Sequence, residues 1–234
     1  MIPGKPARPT VILFDYGGVL ASEGFAEGLR AIAMTRGLEP ERFFRQVEQI
    51  IYDCGYVTGT NSEAGFWTQV RQECGISGSD PELTGEIHRR FVLRPEMLAL
   101  VRAVKDQGIR TAILSDQTDW LEQLDHRDHF LAEFAPVLNS YHLGHSKREV
   151  ATFHLALAQL AVAAGQVLFV DDNAGHIGRA AALGLQVHHF SEVTGFTVEL
   201  ARRGLISDLS DLSDLSGRSE KCPTPNRQPE GNRP

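Results

Sequence analysis

The chain has 234 residues, 42% of them hydrophobic and 23% charged, and a formal net charge of −7. At about 100 to 200 residues per domain, that length gives one domain or a core with a small insertion, large enough to bury a real core. The acidic balance argues against nucleic acid or a membrane surface as a partner and favours small-molecule chemistry.

Near the start, Lys5 and Arg8 precede an apolar run, but Asp15 ends that run after four residues, far short of a signal-peptide core. No segment reads as a membrane span. Cys54, Cys74 and Cys222 are odd in number and show no CxxC spacing, so neither a disulfide framework nor a zinc site is expected. The expected location is the cytoplasm. The oligomeric state is not encoded in any of these patterns.

Thr10-Val-Ile-Leu-Phe14 is a β-branched apolar run between Pro9 and Gly17-Gly18, which predicts a fully buried parallel strand. From Leu20 to Arg94 no strand pattern follows. Helices are predicted to start near Glu23, at Pro40, at Thr60, where Thr60 and Glu63 form a capping-box pattern, and at Asp80-Pro81. Roughly 70 residues of helix directly after a strand read as an inserted cap, because such connections normally need only about 2 to 6 residues.

Beyond the insertion, Pro95 opens a helix closed by Gly108, and strands are predicted at Ile109–Leu114, Val167–Val170 and Gln186–Phe190, with a short run at Val137-Leu138. A helical run from Glu149 to Ala164 ends at Gly165. This alternation predicts an α/β fold: a Rossmann-like parallel sheet core, residues 1–20 and 95–205, with helices on both faces and a small inserted α-helical cap at 21–94. The repeated Asp-Leu-Ser of Ser207–Ser216 and the Pro-rich end predict a disordered tail over 206–234.

Three predicted strands end in residues capable of chemistry. Asp15 stands before Tyr16-Gly17-Gly18, Ser115-Asp116 follows the second strand, and Asp171-Asp172-Asn173 follows a later one. Ligands of open α/β sheets bind at such carboxyl ends. Carboxylates converging there would hold a hard divalent cation, for which Mg²⁺ is the usual choice with phosphates. Lys147, after Leu143-Gly-His-Ser, would neutralise a carboxylate and a phosphate oxygen. Asp172 is expected to meet the cation directly, and Asp171 to lie behind it or to pair with Lys147.

Phe-Asp15-Tyr-Gly-Gly-Val-Leu, Ile-Leu-Ser115-Asp116, Leu-Gly-His-Ser-Lys147 and Val-Leu-Phe-Val-Asp171-Asp172-Asn, in that order over residues 10–205, resemble the haloacid dehalogenase-like hydrolase superfamily. The stretches Gly59–Trp67 and Phe91–Met97 are similar to its subfamily with a helical cap. The resemblance implies a Mg²⁺-dependent phosphatase that acts on a small phosphorylated metabolite through an aspartyl-phosphate. It implies Asp15 and Lys147 as catalytic residues, and Gly17, Gly18, Ser115, Asp116 and Lys147 around the phosphate. Asp15, the Gly17 backbone carbonyl, Asp171 and Asp172 would then surround the metal.

Two positions depart from that pattern. Gly17 stands where most of these phosphatases carry a second Asp as general acid and base, a contribution of about 10² to 10⁴ in rate. Ester hydrolysis is then slow unless the leaving group is good or another acid replaces it. Asp116 replaces an Asn, and a carboxylate there repels a phosphate dianion unless it turns away. Arg148 follows Lys147 where a Pro is common, and reads as a solvated surface residue, as do the pairs His126/His129 and His142/His145. His176 also occupies a position that is often Asn. The aromatic residues Phe43, Phe44, Phe66 and Trp67 are expected to pack in the cap. Two further readings stand beside the phosphatase: a metal-independent 2-haloacid dehalogenase, and a family relative that binds a ligand or partner without turnover.

Overall fold

The computed structural model describes residues 7–206. The expected tail from residue 207 on, with Cys222, lies outside the described residues. Five strands, β1 (Val11–Phe14), β2 (Arg110–Ser115), β3 (Val137–Asn139), β4 (Val167–Asp171) and β5 (Gln186–His189), form one parallel sheet in the order β3-β2-β1-β4-β5. Ten α-helices accompany them among the described residues. Between β1 and β2 come α1 (Gly24–Thr35), α2 (Pro40–Asp53), α3 (Glu63–Cys74), α4 (Asp80–His88) and α5 (Pro95–Asp106). After β2 follow α6 (Trp120–Asp128), α7 (Ser140–Leu143), α8 (Val150–Leu160), α9 (Ala174–Ala182) and α10 (Val193–Arg203).

The central position of β1 explains its sequence. Phe14 pairs with Ile113 on one side and Val170 on the other, so neither edge of the strand is free. Ile12 and Phe14 pack into a cluster with Val101 and Val104 of α5 and Phe196 and Leu200 of α10. Val11 and Leu13 face the opposite layer, with Phe153 and Leu160 of α8 and Ala180 of α9. Both faces are therefore apolar, and no polar alternation survives in the strand.

The inserted helices share the first of these clusters, through Val47, Phe66, Trp67, Leu83 and Ile87. Their entry and exit are joined at one place. Ala21 and Leu93 form an antiparallel bridge, and the Arg94 N–H donates to Leu20 O at 2.9 Å. The Arg94 guanidinium donates to the carbonyls of Gly18 at 2.9 Å and Val19 at 3.0 Å, and to that of Ala21.

Two local expectations need correction. The α3 helix is capped by Ser62, whose Oγ accepts the Gly65 N–H at 3.2 Å; Thr60 instead donates its hydroxyl to Gly55 O at 3.1 Å. The chain turns there, so Thr60 is two residues too early to cap. The helix expected over Glu149–Ala164 stops at Leu160, because Ala161 adopts a left-handed φ of 53°. Gly165 belongs to a separate 3₁₀ turn, residues 164–166, that leads into β4. Asn173 caps the helix after β4, accepting from the Gly175 and His176 N–H groups. Among the described residues, no helix is long and apolar enough to cross a membrane, and Cys54 and Cys74 are free.

Candidate active site

Chain direction sets the site. From β1 the sheet runs to β2 on one side and to β4 on the other, which leaves a crevice at the carboxyl ends of β1 and β4. Asp15 enters it directly after β1, anchored by its N–H on Val170 O at 2.9 Å. Its Oδ1 accepts from the Tyr16 N–H and from the Ser115 hydroxyl, each at 2.7 Å. Its Oδ2 lies 2.6 Å from Lys147 Nζ. That ammonium also lies 2.6 Å from Asp171 Oδ2, so one lysine bridges the carboxylates that end two adjacent strands. Asp171 Oδ1 accepts the Asn173 N–H at 2.7 Å, and His176 Nδ1 lies 3.2 Å from Asp171 Oδ2. Asp15, Lys147 and Asp171 are all buried.

Charge in this closed space is unbalanced. Burial disfavours the Lys147 ammonium, but Asp15, Asp171 and Asp116 outweigh it and hold its pKa above the usual value. Burial also raises Asp171, yet Lys147 and His176 prevail and keep that carboxyl below the usual range. Asp15 goes the other way: burial raises it well above its usual value, and Asp171 and Asp172 add to this against the pull of Lys147. Asp172 is raised by burial and then by Asp171. Three carboxyl groups thus face one lysine.

The turn after β1 is shaped by glycine at one of its two positions. Gly18 has φ +75°, and a Cβ there would run into the Asp172 carboxylate, so Asp172 leans directly over the turn. Gly17 has φ −65° and ψ 139°, which any residue can adopt. Asp15, the Gly17 carbonyl and Asp172 offer oxygen donors only, as a hard dication prefers, and a dication would offset the surplus of carboxylates. Asp171, Asp15 and His176 also approach one another, but Asp171 is already held by Lys147 and Asn173.

Asp116 is turned into the protein framework. Its Oδ1 accepts the Lys147 N–H at 2.7 Å and its Oδ2 accepts the Tyr52 hydroxyl at 3.0 Å, a bond from α2 to the loop after β2. The Arg148 guanidinium stacks 3.4 Å from the Tyr52 ring centroid and lies 3.3 Å from Glu48. A cavity of about 340 Å³ opens between sheet edge and insertion, with Asp15, Ser115, Asp116, Lys147 and Asp172 on its floor. Gly17 borders it as well.

Sequence reasoning missed most of the opposite wall. Glu23, Phe44, Tyr52 and Trp120 all line the cavity, and Arg30 stacks 4.8 Å from the Phe44 ring centroid. Phe44 is thus only partly the packing residue it was expected to be, whereas Phe43, Phe66 and Trp67 are buried. Burial and the nearby Asp172 push the Glu23 carboxyl up to about 7. No periodicity marks these residues, because their meeting depends on how the insertion folds back over the sheet. The expected surface histidines His142 and His145 are exposed and pair with Glu122 and Glu149, each at 2.8 Å.

A parallel sheet with a lysine-bridged carboxylate pair at its switch point defines the general class, an α/β protein with a carboxylate-centred site. The family model for haloacid dehalogenase-like hydrolases matches residues 9–184, and the chain belongs to that family. The fold is similar to that of a HAD family enzyme from Bacteroides thetaiotaomicron, with a TM-score of 0.65 at 19% identity over 79% of this chain and 95% of that one. A structure of that enzyme with magnesium and inorganic phosphate gives a TM-score of 0.61 at 19% identity, covering 78% and 94%. L-2-haloacid dehalogenase from Xanthobacter autotrophicus, with chloropropionic acid covalently bound, gives 0.59 at 18% identity, covering 88% of each chain. No curated protein matches the sequence.

Proposed function

We propose that this hydrolase is a Mg²⁺-dependent phosphatase of small phosphorylated metabolites, with Asp15 as its nucleophile, working in the cytoplasm. The observation that carries the reading is the bridge Asp15–Lys147–Asp171 beside Asp172, three carboxyl groups around one ammonium. A site for a haloacid carboxylate alone would gain nothing from that excess of acid, whereas a phosphate dianion arriving with a dication is matched by it. Asp15, the Gly17 carbonyl and Asp172 would hold Mg²⁺, which when bound offsets negative charge on the phosphoryl group.

An Asp15 oxygen attacks phosphorus, and the bond from phosphorus to the ester oxygen breaks, leaving an aspartyl-phosphate. Water then attacks phosphorus, the bond to Asp15 breaks, and phosphate leaves. The Ser115 hydroxyl, 2.7 Å from Asp15 Oδ1, fixes the carboxylate rotamer and leaves Oδ2 beside Lys147. Lys147 stays charged throughout and stabilises negative charge developing on the transferred group. Both Asp116 oxygens accept hydrogen bonds, from the Lys147 N–H and the Tyr52 hydroxyl, which fix that carboxylate in place at the cavity floor.

Purified protein should hydrolyse an activated aryl phosphate with Mg²⁺, lose this activity with EDTA, and lose it in Asp15→Asn. Halide release from a 2-haloacid without metal would replace this reading with the dehalogenase one. Phosphate binding without turnover of any ester would favour a binding protein.

A further inference from the structure

The phosphatase reading leaves one chemical task open, since Gly17 has no side chain to protonate the departing alcohol. We propose that Glu23 performs both proton transfers from the place a side chain at position 17 would occupy, an inference that rests on that reading.

The backbone gives no reason for glycine at position 17, where φ is −65°. Space does: a Cβ there would lie 2.8 Å from Glu23 Oε2. Phe91 Cε1 at 3.5 Å and Gln117 Nε2 at 3.9 Å from the same point border that space. Both neighbours of Glu23 are fixed. The Ser22 N–H donates to Val92 O at 2.9 Å, and Gly24 packs so closely on Phe91 that a Cβ would meet its backbone nitrogen at 2.6 Å. Glu23 shares the cavity with Asp15 and Lys147. A carboxyl that reaches this point by way of α1 replaces one that would have hung from residue 17.

In the first step, the Glu23 acid gives its proton to the ester oxygen as the bond to phosphorus breaks, becoming a carboxylate. In the second, it takes a proton from the water that bonds to phosphorus as Asp15 departs, which restores the acid.

The test compares kcat/KM for 4-nitrophenyl phosphate, whose leaving group needs little protonation, with kcat/KM for glycerol phosphate, whose leaving group needs it strongly, in full-length protein with Mg²⁺. Glu23→Gln should lower the glycerol phosphate value about 10²-fold or more and the 4-nitrophenyl value less than about tenfold. The ratio of the two values does not depend on how much of the protein is folded. Gly17→Asp introduced into Glu23→Ala should recover glycerol phosphate turnover at least about tenfold, since removing the Glu23 side chain frees the space. An unchanged ratio in Glu23→Gln, in a wild type that needs Asp15, overturns the Glu23 assignment alone. A wild type inactive on both esters overturns the phosphatase reading and the assignment with it.

Discussion

The Tyr52 hydroxyl donates to Asp116 Oδ2 at 3.0 Å, tying the insertion to the loop after β2. Burial and the Asp116 charge hold the Tyr52 phenol above its usual pKa, so it remains a donor over the working pH range. The same ring carries the Arg148 guanidinium, so one side chain organises an acid and a base that the sequence sets far apart.

A double-mutant cycle on Tyr52→Phe and Asp116→Ala reads this bond. The two changes should couple by about 0.5 to 1.5 kcal/mol in unfolding free energy from urea titration. Strict additivity would show that the bond does not persist in solution.

Lys147→Met should be the most damaging single change at the site. It leaves Asp15 and Asp171 buried without their shared cation, and breaking such a pair costs about 3 to 5 kcal/mol. Turnover should fall by at least about 10²-fold even in the protein that remains folded. Retention of near-normal kcat would remove Lys147 from the mechanism.

Gly18→Ala and Gly17→Ala should behave differently. Alanine at 18 meets both a φ of +75° and the Asp172 carboxylate, so an unfolding midpoint well below wild type is expected, with about 1 to 3 kcal/mol from the backbone alone. At 17 the backbone accommodates alanine and the neighbour to be displaced is a side-chain terminus, so the midpoint should change much less. Equal midpoints for the two variants would contradict the turn geometry.

His88 makes stability depend on pH. Its Nε2 is buried without a hydrogen-bond partner among the described residues, and the ring meets Trp120 edge-on at 5.4 Å. Burial, then the Arg127 charge, pushes its pKa down from 6.5 to about 4. The unfolded chain therefore binds the proton first. The contribution of neutral His88 is complete above about pH 6.5 and is lost as pH falls toward 4. Thermal unfolding of wild type and His88→Phe between pH 7 and 4 should show the wild type losing more; parallel curves would mean that His88 titrates normally.

The sheet was legible because β1 and β4 are buried throughout and β2 from Thr111 on, each around an apolar run, whereas the edge strand β5 is only partly buried; the site's floor was legible because it stands at the ends of those runs. Asp15, Ser115, Lys147 and Asp171 meet within hydrogen-bonding distance as their order along the sheet implies. The helices α6, α7 and α10 were not anticipated. Trp120, Leu121 and Leu124 of α6 face the core, but in a segment dense with Asp, Glu and His that mask the apolar stripe. Glu23 was legible only as a residue near a helix start. Its approach to Gly17 is set by the close packing of Gly24 on Phe91, and contacts between residues so far apart leave no local pattern.

Arg94, which gathers the carbonyls of Gly18, Val19 and Ala21 beside the Ala21–Leu93 bridge, turns the root of the insertion into a seam. The chain between residues 22 and 92 leaves and rejoins the sheet through that seam, so Asp15 and Glu23 are held from its two sides. On the proposed reading the nucleophile and the proton donor thus stand on opposite sides of one joint, Asp15 at the end of β1 and Glu23 at the start of the insertion.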